Sequence, residues 1–128
     1  MSEENKPDSQ FVFTDGVVVV DITMLKDLTD GDLPSMKSIV DVFLAQTPGY
    51  LKEIQAHYEA KNWDALYKSA HLVKSSLSII KTDNMFEMAV QIESEAKSGN
   101  PSDSIGTLIA SLQEKFNRAQ VLLLEKFQ

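Results

Sequence analysis

Apolar residues recur at helical spacing along most of this chain. Ile22, Leu25 and Leu28 predict a short first helix, ended by Thr29-Asp30-Gly31. Met36, Ile39, Val40, Phe43, Tyr50, Leu51, Ile54 and Tyr58 then mark one face of a long helix, whose first turn holds Pro34 behind Asp32 or Leu33. Pro48 lies inside that helix and removes a backbone donor, so a bend is expected near Ala45 to Thr47. Asn62 reads as the N-cap of a further helix carrying Leu66, Ala70, Val73, Leu77 and Ile80. Thr82 with Asp83 reads as the start of the next, with Met85, Ala89, Ile92 and Ala96 facing the core. Gly99-Asn100-Pro101 reads as a stop and a start: Gly past one helix, Asn as cap, Pro at the next N1. Ile105, Leu108, Ile109, Leu112, Phe116, Ala119 and Leu123 mark the last helix. Four long amphipathic helices with short turns predict an all-α chain folded as an antiparallel four-helix bundle.

Ahead of the helices the pattern differs. Residues 1–10 are polar and acidic and read as a disordered tail. Phe11-Val12-Phe13 and residues 17–20 are β-prone runs around Thr14-Asp15-Gly16, which predicts a short hairpin. A lone hairpin is marginally stable, so it must lie on the main body or stay loosely ordered. The expected organisation is a flexible tail and short hairpin over residues 1–20 and a bundle over residues 21–128.

Length and composition agree with one packed domain: 128 residues, 43% of them hydrophobic. Cysteine is absent, which removes disulfides, thiolate metal sites and a Cys nucleophile. The start of the chain lacks the basic and apolar segments of a secretory signal, and no run approaches the ~20 apolar residues of a membrane span. A soluble, cytoplasmic protein is expected. The net charge of −7 argues against nucleic-acid binding. That total is uneven: residues 61–81 hold Lys61, Lys68, Lys74 and Lys81 against Asp64 alone, a local +3 beside −10 elsewhere.

Several chemistries are excluded by spacing. Gly16, Gly31, Gly49, Gly99 and Gly106 are never closer than seven positions apart, so no glycine-rich phosphate loop can form. ATP binding or kinase activity of the chain's own is therefore not expected. His57 and His71 fall on different helices with no metal-binding spacing, and no loop has the EF-hand pattern. A carboxylate-only magnesium or calcium site stays open at this point. His57 has no supporting constellation and reads as solvated or partly packed.

The basic helix is the informative one. At roughly 100° per residue, His71 lies about 140° from the centre of the apolar stripe, Ser75 about 180° and Lys68 about 200°. His71 therefore points outward, with Lys74, Ser75 and Ser78 along the same side. No carboxylate shares that side except Asp64, so a hydrolase triad is not expected. A neutral imidazole beside ammonium groups suits nucleophilic attack on phosphorus, while the ordinary reading of an exposed histidine on a charged face is a solvated side chain. Leu72 and Ile79 lie on the flank of the helix, either as an apolar docking patch or as contacts to a neighbouring helix. Met85, Phe86 and Met88 read as core.

The segment Ala70-His71-Leu72-Val73-Lys74-Ser75-Ser76-Leu77-Ser78-Ile79-Ile80 resembles the signature of histidine-containing phosphotransfer (HPt) domains, Ala-His-x-Leu-Lys-Gly followed by small and apolar residues. Phe43-Leu44-Ala45-Gln46-Thr47-Pro48 and Trp63-Asp64-Ala65-Leu66 are similar to family segments upstream. The resemblance implies a four-helix bundle that carries a phosphoryl group between receiver-domain aspartates, with response-regulator receivers and a hybrid sensor histidine kinase as partners. His71 would be the phosphoryl acceptor and Lys74 the cation that steadies the group. Glu93 would orient the imidazole, and Lys68, Leu72, Ser78 and Ile79 would meet the partner. No cofactor of its own is implied, since Mg²⁺ is expected from the receiver. A complete bundle of this size is expected to be monomeric. Two positions depart from the family: Ser75 follows the lysine where relatives have glycine, and Lys81 replaces a glycine after the apolar run. These departures keep open a bundle that docks receivers or kinases without accepting phosphate. Ser75 reads as tuning, because serine is small and its hydroxyl can donate to a phosphoryl oxygen. A helical adaptor unrelated to signalling would bind without regard to His71.

Overall fold

The hairpin forms from β1 (Val12–Thr14) and β2 (Val19–Asp21), antiparallel, with Phe13 opposite Val20. The computed structural model describes residues 10–127, so nearly all of the expected N-terminal tail lies outside the described residues. Asp15 makes the turn: its Oδ1 accepts from the amides of Val17 at 2.8 Å and Val18 at 2.9 Å, and Gly16 supplies a φ of +92°. Val18 and Val20 are buried among the helices, so the hairpin lies on the main body and adds to its core.

Helix α1 (Thr23–Leu28) is a short connector, and α2 (Leu33–Glu59) is the longest element. Asp32 is the N-cap of α2, with its side chain accepting from the Ser35 amide at 3.0 Å. Although Pro48 cannot donate to the preceding turn, α2 continues unbroken through it. Helix α3 (Trp63–Leu77) begins at the Asn62 cap, whose Oδ1 accepts from Ala65 at 3.2 Å. It ends sooner than the periodicity predicts: Ile80 lies beyond the helix yet is still buried.

Two predicted helix starts are displaced. Thr82 belongs to β3 (Lys81–Thr82), which pairs antiparallel with β2 and makes the hairpin a three-stranded sheet in the order β1-β2-β3. Asp83 holds that junction, with its amide donating to the Val19 carbonyl at 2.8 Å and its Oδ1 accepting from the Val19 amide at 2.7 Å. Helix α4 (Met85–Ser98) therefore starts after Asn84, and Gly99 ends it at a φ of +75°. Pro101 is not the start of the last helix, α5 (Ile105–Phe127). The Glu95 carboxylate takes both the amide and the hydroxyl of Ser102, at 2.8 and 2.6 Å, and so holds the chain across the end of α4 before α5 can begin.

The long helices pack in the cyclic order α2, α3, α4, α5 and back to α2, as expected of the bundle. Phe43 of α2 meets Phe116 of α5 edge-on at 5.8 Å near the centre. The apolar residues expected on α3 and α4, Met85 and Met88 among them, are buried, while Phe86 is partly buried against the core. Helices α3 and α4 share an extensive contact, which places the outward side of α3 beside a flank of α4.

Candidate functional site

His71 leaves the core side of α3 because Ala70 and Val73 on either side of it are fully buried, and its own side chain is 56% exposed. Glu93 approaches from α4, where it is flanked by buried Ile92 and Ala96 and is itself only 13% exposed. The two side chains meet at 2.6 Å between His71 Nδ1 and Glu93 Oε2. Lys74, one turn after His71, donates from Nζ to the other oxygen, Glu93 Oε1, at 2.9 Å. A single carboxylate thus ties together an imidazole and an ammonium group presented by one helix.

This geometry has chemical consequences. Burial pushes the Glu93 carboxyl up, but the hydrogen bonds from Lys74 and His71, with the positive charge behind them, outweigh it and hold Glu93 below the ordinary glutamate value. An ionised carboxylate accepts only, so the short bond assigns the proton of a neutral His71 ring to Nδ1. The lone pair then resides on Nε2, which makes no hydrogen bond to the protein among the described residues. The fixed tautomer leaves a nucleophilic nitrogen directed away from the carboxylate.

The other expected site residues divide. Ser75 and Ser78 are exposed beyond His71, and both hydroxyls turn onto their own helix: Ser75 Oγ lies 3.4 Å from the His71 carbonyl and Ser78 Oγ donates to the Ser75 carbonyl at 2.7 Å. Lys68 is exposed and pairs with Asp64 one turn earlier at 3.1 Å. Leu72 is about half exposed, whereas Ile79 packs partly against the core. Lys81 is exposed on β3, away from the helix itself. His57, near the end of α2, is partly buried and outside this group. No group of three or more His, Asp or Glu side chains suited to a metal ion occurs among the described residues. No helix among them is long and apolar enough to cross a membrane.

Two further side chains were not singled out in the sequence. Tyr67 lies one turn before His71, with ring centroids 6.4 Å apart, and Lys97 of α4 places its Nζ 5.8 Å from the Tyr67 ring centroid. The spacing of Tyr67 from His71 could have found the first. Only the packing of α4 on α3 brings in the second.

The family model of the Hpt domain matches residues 38–121, which include all of α3 and α4. The chain belongs to the Hpt domain family. Its fold is similar to that of histidine-containing phosphotransfer protein B (HptB) from Pseudomonas aeruginosa PAO1, with a TM-score of 0.76 and 20% identity, over 85% of this chain and 94% of that one. At that identity the likeness is one of fold. No curated protein matches the sequence significantly. In this Hpt domain the family match takes in His71, Lys74 and Glu93, and leaves out the hairpin and α1.

Proposed function

We propose that this Hpt domain accepts a phosphoryl group on His71 Nε2 and passes it between the aspartates of receiver domains. The observation that carries the reading is the Glu93 carboxylate bridging His71 Nδ1 and Lys74 Nζ. Attack by the Nε2 lone pair forms the N–P bond as the aspartyl P–O bond breaks, and the leaving electron pair returns to the receiver's carboxylate. The imidazole then carries a positive charge, which Glu93 offsets at Nδ1 without proton transfer. Lys74 provides a flexible cation beside the incoming group. The receiver supplies the Mg²⁺, and a rigid helix supplies the position of the nucleophile.

On this reading the basic side of α3, with Lys68 and Lys74, meets the acidic pocket of the receiver, and Leu72 adds apolar contact. Ser78 and Ile79 border the same face. Ser75 tunes transfer, since it is small and its hydroxyl, held only by a long 3.4 Å contact to the His71 carbonyl, can turn to donate to a phosphoryl oxygen. The protein works as a cytoplasmic monomer, with response regulators and a hybrid sensor histidine kinase as partners. The functional unit is the bundle of residues 21–128 together with the hairpin ahead of it, whose Val18 and Val20 join the same core.

Incubation with a phosphorylated receiver should transfer a label that is acid-labile and base-stable, and His71→Gln should abolish it. Label retained by His71→Gln would overturn the assignment. Receiver binding by the unaltered chain with no phosphoryl uptake, across a panel of receivers, would favour a docking module instead.

A further inference from the structure

Glu93 restrains one atom of the His71 ring, and a single hydrogen bond leaves the plane of an exposed imidazole free to rock about it. A second contact lies beside it. Helices α3 and α4 run antiparallel, so one turn back from His71 and one turn forward from Glu93 lead to neighbouring positions. Tyr67 and Lys97 occupy them. The Tyr67 ring is inclined 32° to the imidazole at 6.4 Å, inside the range of offset aromatic pairs. The ring also packs partly against the core, and the Lys97 ammonium lies 5.8 Å from its centroid; together they limit how far it can swing away from α4. The Tyr67 hydroxyl has no hydrogen-bond partner among the described residues, so whatever the side chain does, its ring does it.

We infer that Tyr67 is a positioning residue for the His71 imidazole: its ring, held by Lys97, limits the rocking that Glu93 alone permits and keeps Nδ1 on the carboxylate. This rests on His71 as the phosphoryl acceptor only for its effect on rate; the effect on the ring itself is independent of transfer. Loss of the Tyr67 ring loosens the Nδ1 bond, and a loosened ring samples the tautomer with the proton on Nε2, which is not nucleophilic.

The test uses the full chain labelled with ¹⁵N. Two-bond imidazole ¹H–¹⁵N spectra of His71 report the tautomer, and single-turnover transfer from a phosphorylated receiver reports the rate. Tyr67→Ala should move the His71 nitrogen shifts toward the Nε2–H form and slow uptake roughly 2- to 10-fold, the size of one aromatic pair contact. Receiver affinity should stay within about twofold, and Tyr67→Phe should restore both spectrum and rate. Tyr67→Leu, which keeps apolar bulk without a planar ring, serves if the alanine variant does not fold and should behave as alanine is expected to. An unchanged His71 spectrum in the alanine or leucine variant overturns the inference, as does failure of Tyr67→Phe to restore it. If the unaltered chain takes up no phosphoryl group, the functional reading fails while the spectra still decide the role of Tyr67.

Discussion

His71 and Glu93, 22 positions apart in the chain, meet at 2.6 Å through Nδ1 and Oε2, and the second oxygen of the same carboxylate holds Lys74. Neither helix alone makes this arrangement. A carboxylate at Nδ1 sets the tautomer, and a lysine on the same carboxylate keeps it ionised.

Glu93→Ala should therefore act on chemistry more than on docking. Phosphoryl uptake should fall by up to about 100-fold, as misplacement of a reacting group does. The imidazole spectrum should shift toward Nε2–H. Glu93→Gln keeps an oxygen acceptor for Nδ1–H and should lose less. Equal rates for Glu93→Ala and the unaltered chain in single-turnover transfer would separate Glu93 from the reaction.

Charge on α3 should govern encounter. Lys68 is exposed beside Asp64, and Lys74 is partly buried against Glu93. Lys68→Gln together with Lys74→Gln should slow receiver association severalfold at low ionic strength and flatten its dependence on salt. Lys68→Gln alone should change association and leave the transfer step as it was. Stopped-flow binding at several salt concentrations measures both effects, and unchanged kinetics would return these lysines to an ordinary solvated face.

Acid should destabilise the fold through particular carboxylates. Burial raises the Glu93 carboxyl but its Lys74 and His71 contacts lower it further; Asp15, Asp32 and Glu95 are lowered chiefly by hydrogen bonds from Val18 and Val17, Ser35, and Ser102 respectively. Each folded value lies below its unfolded one, so the stability these groups contribute is present above the unfolded value of about 4 and is lost as pH falls through the folded value. Thermal melts should show Tm dropping below about pH 5 and continuing to drop under pH 4. Glu93→Gln should make that decline shallower.

Asp83 should anchor the sheet to the bundle. Its Oδ1 accepts from Val19 and its Oδ2 from Lys115 Nζ at 3.0 Å, while its backbone has a φ of +46°. Asp83→Ala should cost about 1–3 kcal/mol, through the lost acceptor and the left-handed backbone. Asp83→Asn should lose less, because asparagine tolerates that conformation and retains an oxygen acceptor. Denaturant unfolding gives the stability change, and faster hydrogen exchange at the Val19 amide would locate it.

Gly106 should resist replacement despite its place in a helix. A Cβ there would lie 2.5 Å from the Tyr58 hydroxyl oxygen and 3.0 Å from the carbon that bears it. Gly106→Ala should therefore destabilise, since overpacking costs about 1–3 kcal/mol and helix propensity returns about 1 at most. Adding Tyr58→Phe should recover part of the loss. A more stable Gly106→Ala would show that Tyr58 moves aside without cost.

Much of this protein is written locally. The apolar steps of α2, α3, α4 and α5 declare their buried faces, Asp32 and Asn62 declare two helix starts, and Gly99 declares a stop. The outward angle of His71 follows from the same periodicity, and the residues around it carry the family resemblance that points to Glu93. Local signals failed where a distant group competed for the chain. Thr82 has the chemistry of a helix start but pairs with Val20, and Pro101 could open a helix but Ser102 is held by Glu95.

By itself, then, the sequence determined the helical faces, the exposure of His71 and the basic side of α3, because periodicity and capping depend on residues within a few positions of one another. Tertiary structure alone decided which atoms meet: Nδ1 with Glu93, Glu93 with Lys74, Tyr67 with Lys97, and β3 with β2. Those contacts depend on the rotation and register of one packed element against another. That register is a property of the whole core and has no local repeat from which to read it.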